Sequence, residues 1–213
     1  MLKLLKENKL FLILTVVFWI LLLVLIVDIP KAKLHLLLNM YHNHILDVIF
    51  INFTQVGGAL PFIVGGCLLF YRFGAAMIVL IPQLLITIPL YGLKQWLDMP
   101  RPVVYFQDLH LKFPQVPGVD LCVTNSFPSG HTTAAFAMFL GLSFIVKNNS
   151  FLKVLFFILA VGVAYSRVYL SQHFAGDVLG GSVMGVLFVL IYMYFHNRWH
   201  KDWMNKSLLR LRG

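Results

Sequence analysis

Three stretches of the sequence are long, apolar and free of charged residues, and they constrain the possible fold more than any other feature. They are Leu10–Val27, Ala75–Leu93 and Val178–His196. Each is long enough to cross the hydrocarbon core of a bilayer, which takes about 20 residues of α-helix. The composition also lies outside the range of soluble globular domains, because 60% of the 213 residues are hydrophobic and only 12% are charged. The sequence therefore predicts an integral membrane protein.

The polar residues between the apolar runs predict about six spans, packed as a single domain over residues 1–213. The predicted spans are residues 10–27, part of 48–71, 75–93, 131 to just before Lys147, 151–166 and 177–196. Backbone groups must be paired within lipid, so we expect an all-α fold, a polytopic helical bundle. The first apolar run follows basic residues, as in a signal peptide, but it is too long and lacks a small-residue cleavage site. We interpret it as a retained helix.

Residues 31–47 differ from the apolar runs. Lys31, His35, His42 and His44 are interleaved with leucines, a pattern typical of a helix that lies along the membrane surface. We expect its histidines on a polar face, with metal ligation as the alternative.

Proline and glycine predict how the later spans pack. Pro82 and Pro89 should kink the third span unless neighbouring helices satisfy the carbonyl groups that they leave free. Small residues in the last three spans should let those helices approach closely. They are Gly141, Gly162, Gly180, Gly181 and Gly185.

The distribution of basic residues predicts the orientation. If the N-terminus is inside, most of the 17 Lys and Arg residues lie on inner segments: Lys3, Lys6, Lys9, Arg72, Lys147, Lys153, Arg198, Lys201, Lys206, Arg210 and Arg212. The outer segments hold Lys31, Lys33, Lys94, Arg101, Lys112 and Arg167. The positive-inside rule favours this arrangement, which places residues 94–131 and 166–177 on the same outer face.

Because the net charge of +9 is scattered over helix ends and forms no basic stripe, we expect no nucleic-acid partner.

The stretch Ser166–Asp177 concentrates ionisable groups at the junction of two apolar runs, where they are costly unless they have a function. His173 and Asp177 are four residues apart, so the carboxylate can reach one ring nitrogen and leave the other free for nucleophilic attack. Arg167 offers planar donors that suit an oxyanion. A helix cap with a surface ion pair is the alternative interpretation of this stretch.

Two further clusters are expected on the same face. Lys94 and Arg101 are seven residues apart, and both side chains could contact one anion, although such residues also anchor helices at headgroups. Ser129 and Gly130 precede the fourth span, where backbone N–H groups and the helix dipole favour phosphate. An N-cap would explain this second cluster equally well.

In order and spacing, the three clusters resemble the signature motifs of the type 2 phosphatidic acid phosphatase superfamily. This family includes bacterial membrane lipid phosphatases, glucose-6-phosphatase and soluble vanadium haloperoxidases. The matching residues are Lys94, Arg101 and Pro102, then Pro128, Ser129, Gly130 and His131, then Ser166, Arg167, His173 and Asp177. The resemblance implies that Lys94, Arg101 and Arg167 bind the phosphate oxygens, with backbone N–H groups of Ser129 and Gly130 as further donors.

The resemblance also implies the chemical steps. His173 would attack phosphorus to give a phosphohistidine that water later hydrolyses, and Asp177 would hold the ring tautomer. His131 would protonate the leaving oxygen as general acid. We expect no cofactor and no metal, because three basic side chains would repel a divalent cation. A metal site of His131, His173 and Asp177 is the weaker alternative.

A site at the outer interface favours a lipid substrate. The candidates are undecaprenyl pyrophosphate, phosphatidylglycerol phosphate, phosphatidic acid and lipid A phosphates, in a bacterial inner membrane with the site facing the periplasm or the exterior. Headgroup selection is expected from residues 31–47 and 108–122. The alternatives are a lipid or anion transporter that binds phosphate without cleaving it, and haloperoxidase chemistry with bound vanadate; the oriented pair of His173 and Asp177 argues against the transporter.

Overall fold

The structure of the chain is a computed structural model that describes residues 6–146, 148–199 and 201–211. Its α-helices are α1 (Lys9–Asp28), α2 (Lys31–Leu38), α3 (His44–Phe53), α4 (Leu60–Tyr71), α5 (Phe73–Leu97), α6 (Pro102–Asp108), α7 (Gly130–Ile145), α8 (Ser150–Tyr169) and α9 (Ala175–Arg198). Short 3-10 helices lie at Thr54–Gly57, Asp202–Asn205 and Leu208–Leu211. No strand occurs in these ranges, which confirms the all-α prediction. Lys3, Lys147 and Arg212, used in the charge count, lie outside the described residues.

Four described helices, α1, α5, α8 and α9, are long and apolar enough to cross a membrane. A fifth span is obtained if the segments His44–Gly57 and Leu60–Tyr71, bent by 54°, count as one. Helix α7 begins where the fourth of about six predicted spans was expected, but it has only 16 residues. At 1.5 Å per residue it is about 24 Å long, shorter than a hydrocarbon core of about 30 Å. Because α7 is buried among α5, α8 and α9, it does not need to match the lipid thickness.

The surface helix predicted over residues 31–47 is divided into two helices. Helix α2 ends at Leu38. The next residue, Asn39, is buried, and its side-chain amide donates to the hydroxyl of Ser171 at 2.5 Å. The next helix, α3, begins after Asn43, whose side chain accepts the N–H of Leu46 as an N-cap. The break therefore arises from two asparagine hydrogen bonds, and α3 continues into the bent span and not along a surface.

The contact between α7 and α9 depends on glycine. A Cβ atom built at Gly185 would lie 2.4 Å from the carbonyl oxygen of Thr133, and one at Gly181 would lie 2.6 Å from that of Ser129. Neither separation is possible for real atoms, so only glycine permits this approach. Close contacts also occur at Gly141, Gly162 and Gly180, but their partners are Ile78 of α5, Phe53 of α3 and Phe127 of the loop before α7. The predicted approach between the last three spans therefore holds at Gly181 and Gly185.

Helix α5 continues through both of its prolines. Pro82 cannot donate to the carbonyl of Ile78, and that oxygen faces Gly141 of α7, where a built Cβ would lie 3.1 Å away. Helix α7 therefore packs over the carbonyl oxygen that Pro82 leaves free, and this is a packing contact and not a hydrogen bond.

Replacing Gly185 by Ala should destabilise the bundle, because the new methyl group meets the backbone oxygen of Thr133. Overpacking of this kind costs about 1–3 kcal/mol. The measurement is the thermal unfolding midpoint in detergent, with Gly66→Ala as the matched control, since a Cβ there meets nothing within 4 Å. Equal midpoints for the two variants would contradict the assigned packing.

Candidate active site

The predicted site residues lie at helix ends on one end of the bundle. Lys94 is in the last turn of α5, Arg101 directly precedes α6, Ser129 is the N-cap of α7, Arg167 is in the last turn of α8, and Asp177 is in the first turn of α9. His131 lies in the first turn of α7, and His173 lies in the connection from α8 to α9. Alternating helix directions thus bring the three sequence clusters together.

Asp177 connects three segments of the site. Its Oδ2 atom accepts a hydrogen bond from the hydroxyl of Ser126 at 2.5 Å and from the backbone N–H of Phe174 at 2.9 Å. The same oxygen lies 3.5 Å from Nδ1 of His173, which is an ion-pair distance, and the buried Nδ1 makes no hydrogen bond in this structure. Because the carboxylate faces Nδ1, the Nε2 atom of the ring points away from it and is the nitrogen available for attack.

Burial decides the charge of His173. The side chain is 2% exposed, and burial lowers its pKa to about 3. The carboxylate of Asp177 acts in the opposite direction, whereas Arg101 and Arg167 favour the neutral ring. His173 is therefore an uncharged imidazole at pH 7, which is the form that carries a nucleophilic lone pair.

Arg167 has an incomplete set of partners. Its Nη1 atom donates to the hydroxyl of Thr54 at 2.7 Å, but its Nε atom is buried and has no hydrogen-bond partner. A buried guanidinium donor without an acceptor is costly unless an anion completes it. Arg167 therefore marks a place where an anion would be bound.

The other two predicted cations are held by backbone carbonyl groups. The Nζ atom of Lys94 donates to the carbonyl oxygen of Asn125 at 2.5 Å. In Arg101, Nε donates to the carbonyl of Thr124 at 2.8 Å, and Nη1 donates to the backbone and side-chain oxygens of Gln172 at 3.1 Å. Since lysine has three donors and arginine five, both retain donors for a ligand.

Ser129 differs from its predicted role as a phosphate donor. Its backbone N–H donates to the carbonyl oxygen of Asp177 at 3.0 Å, so this bond joins the start of α7 to α9. Its hydroxyl accepts from Thr132 at 2.9 Å. In this structure Ser129 therefore links the start of α7 to the start of α9. The backbone N–H of Gly130 is the next one along the turn and is the remaining backbone donor of the two that were predicted.

His131 packs against the 3-10 helix that follows α3. A Cβ at Gly57 would lie 2.5 Å from the carbonyl oxygen of His131, and one at Gly58 would lie 3.6 Å from its Nε2. Burial, and then the charges of Arg167, Arg101 and Lys94, lower the pKa of His131 to about 4. The imidazole is therefore close enough to the three cations for their charges to act on it.

Four residues that hold the site were missed from the sequence: Thr54, Asn125, Ser126 and Gln172. Ser126 and Asn125 lie within the predicted polar loop, directly before the Pro128–His131 cluster, so proximity was an available signal. Gln172 adjoins His173, and its side chain donates to the carbonyl of Asp120 at 2.8 Å, which ties the loop to the site. Nothing in the spacing indicated Thr54, because it acts from a distant helix.

The described residues contain no group of three or more His, Cys, Asp or Glu side chains arranged to hold a metal ion. The alternative that joined His131, His173 and Asp177 in a metal site is therefore not supported.

Comparison with known proteins gives a family match. Residues 65–201 match the family model described as PAP2 superfamily, and these residues make up more than half of the chain. The crystal structure of Aquifex aeolicus LpxE is similar with a TM-score of 0.68 and 28% identity, covering 79% of this chain and 98% of that one.

Two curated relatives share shorter regions. Phosphatidylglycerophosphatase B of Bacillus subtilis is 38% identical over 81 residues, which are 34% of this chain and 40% of the relative. Lipid A 4'-phosphatase of Porphyromonas gingivalis is 35% identical over 77 residues, which are 34% of this chain and 32% of the relative. The matches thus span less than half the length of these relatives.

The low pKa of His173 can be measured by NMR on protein with labelled histidine rings. We expect its ring signals to remain those of neutral imidazole from pH 7.5 to 5, because burial places its pKa near 3, whereas an unperturbed histidine titrates near 6.5. Between those values the unfolded chain binds a proton that the folded protein does not, so stability should fall as the pH decreases below about 6.5. His173→Gln assigns the signal, and a midpoint near 6.5 would contradict the assignment of a buried neutral ring.

Proposed function

The chain belongs to the PAP2 superfamily, and on that premise we propose that it is an integral membrane phosphatase that hydrolyses the phosphomonoester or pyrophosphate of a membrane lipid. The observation that carries the proposal is the buried, neutral His173, supported by Asp177, beside a cluster of cations. Within that cluster Arg167 has a buried Nε without a partner. A nucleophile next to a buried guanidinium donor that lacks an acceptor fits phosphoryl transfer better than binding alone.

In the proposed reaction, Nε2 of His173 attacks phosphorus, and the bond from phosphorus to the leaving oxygen breaks. The negative charge of the bound phosphate offsets the cations that lower the pKa of His131, so this ring takes up a proton and donates it to the leaving oxygen, and the product alcohol or phosphate leaves uncharged at that atom. Water then attacks the phosphohistidine and gives a proton to the now neutral His131, so the bond from phosphorus to Nε2 breaks, inorganic phosphate is released and both histidines are restored. Asp177 holds the ring and stabilises the positive charge that develops on it.

Lys94, Arg101 and Arg167 supply the charge for the transferred phosphoryl group. Its equatorial oxygens carry most of the negative charge in the transition state, and preorganised donors stabilise it without the cost of reorganising water. We propose that these cations act without a metal ion, since they would repel a divalent cation. The free Nε of Arg167 would gain its acceptor when phosphate binds.

The proposed substrates are lipid phosphates reached from the outer face of a bacterial inner membrane. The site lies at the ends of apolar helices, where a lipid can present its phosphate while its chains stay in the bilayer. The names of the two curated relatives point to phosphatidylglycerol phosphate and lipid A among the four candidate classes. Undecaprenyl pyrophosphate and phosphatidic acid complete the set.

The reaction is tested by phosphate release from these four lipid classes with purified protein in detergent. We expect release by the wild type, a loss of at least about 1,000-fold in His173→Ala because the nucleophile is absent, and no loss in the exposed control His44→Ala. Vanadate should inhibit, and EDTA should leave the rate unchanged. With 32P-labelled lipid, acid-labile label should be retained on the wild type and not on His173→Ala.

Absence of release from every lipid, with intact folding and lipid binding, would contradict the phosphatase proposal and favour a transporter. Loss of activity in EDTA that is restored by a divalent cation would contradict the metal-free mechanism alone.

Ser126 should act as a positioning residue for Asp177. Removing its hydroxyl in Ser126→Ala takes away the 2.5 Å hydrogen bond to Oδ2, so the carboxylate holds His173 less well. We expect kcat to fall about tenfold with KM little changed, as for the loss of one charge-assisted hydrogen bond worth about 1.5 kcal/mol. The control is Ser143→Ala, another buried serine, whose hydroxyl bonds to Asn8. An equal fall in both variants would mean that Ser126 contributes only to stability.

A further inference from the structure

A cavity of about 280 Å³ lies beside the site, between the end of α1, the helix α2 and the start of α9. Apolar side chains form much of its wall: Ile26, Ile29, Leu34, Met99 and Phe127. Its polar groups are Lys31, His35 and Asp177. Of these residues the proposed hydrolysis uses only Asp177, whereas Lys31 and His35 belong to the segment 31–47 from which headgroup selection is expected.

The hydrogen bonds around His35 fix which ring nitrogen carries the proton. Its Nε2 lies 3.3 Å from the hydroxyl oxygen of Ser171. That hydroxyl gives its single hydrogen to the carbonyl of Pro114 at 3.1 Å and accepts from the amide of Asn39. It can therefore only accept from His35, so Nε2 is the donor.

The other nitrogen of His35 is then an acceptor without a donor. Burial lowers the pKa of His35 to about 4, so the ring is neutral and its Nδ1 has a free lone pair. This atom is buried and has no hydrogen-bond partner, and the whole residue is 2% exposed. A buried acceptor in this state is costly, and a ligand with a hydroxyl group would satisfy it.

Lys31 places a positive charge on the same wall, one helical turn from His35. Its Nζ lies 3.8 Å from the ring centroid of Phe174 and 4.8 Å from that of Tyr105, which holds the ammonium group in place. The residue is exposed, so the cavity is accessible from the protein surface on this side. A cation here attracts an anionic group and repels an ammonium group.

We propose that this cavity binds an anionic phospholipid whose headgroup carries free hydroxyl groups. Lys31 pairs with the phosphodiester, a headgroup hydroxyl donates to Nδ1 of His35, and the first carbons of the chains pack on Ile26 and Ile29. Such a lipid carries a phosphodiester and no phosphomonoester, so it is not a substrate of the proposed hydrolysis. Phosphatidylglycerol is the product of one candidate substrate, and binding that depends on Lys31 and His35 distinguishes this cavity from product held by the phosphate-binding cations.

The test is lipid binding to the purified full chain in detergent, measured by native mass spectrometry with three lipids of identical acyl chains. Phosphatidylglycerol has the charge and the hydroxyls, phosphatidylmethanol has the charge alone, and phosphatidylcholine adds an ammonium group. We expect phosphatidylglycerol to bind about tenfold more tightly than phosphatidylmethanol, the effect of satisfying one buried acceptor, and phosphatidylcholine to bind most weakly.

The variants separate the two contacts. His35→Phe keeps a ring against Phe106 and Phe174 but should remove the preference for phosphatidylglycerol over phosphatidylmethanol. Lys31→Met should remove the preference of both anionic lipids over phosphatidylcholine. Lys33→Met, an exposed lysine of the same helix that does not line the cavity, and His44→Phe are the matched controls and should bind like the wild type.

Equal binding of phosphatidylglycerol and phosphatidylmethanol to the wild type would overturn the proposal. Unchanged lipid selectivity in His35→Phe and Lys31→Met would also overturn it, provided that their thermal unfolding midpoints show that both variants are folded. Phosphate release from a lipid phosphate is measured on the same samples. Hydrolysis without lipid selectivity overturns this proposal alone. Selectivity without hydrolysis supports it and overturns the proposed function alone.

Discussion

The site depends on the placement of one carboxylate, that of Asp177, in the first turn of α9. Oδ2 accepts from Ser126 and from the backbone of Phe174, and it faces His173, while the carbonyl of the same residue accepts from Ser129. These contacts join the loop before α7, the start of α7 and the connection after α8. An ionised group is expensive at the end of an apolar bundle, and this set of donors offsets the cost.

The cations impose the opposite requirement, because Arg101 and Arg167 lie close to one another and to the ring of His131. Like charges at short range raise the free energy of the folded protein unless acceptors or an anion compensate them. The guanidinium of Arg101 donates to backbone carbonyl groups, which offset its charge, whereas Nε of Arg167 has no hydrogen-bond acceptor. Part of this electrostatic cost would therefore be removed on phosphate binding, which fits a site that is complementary to its ligand.

Some features were predictable because they depend on local sequence. The pairing of His173 with Asp177 follows from a four-residue spacing at a helix start, and the close approach at Gly181 and Gly185 follows from the size of glycine. The split of residues 31–47 could not be predicted, since it depends on Asn39 bonding to Ser171, 132 positions away in the chain. His35 was placed on a polar surface for the same reason, although it is buried.

The sequence by itself determined the membrane setting, the all-α class and the residues available for chemistry, because hydrophobicity, helical periodicity and side-chain type are local properties. Only the tertiary structure decided which donors support Asp177, that Ser129 fastens α7 to α9, and that Thr54 holds Arg167. It also decided that α7 is a short, central helix and that a cavity lies beside Asp177. These features depend on contacts between distant segments, and such contacts leave no periodic pattern in the sequence.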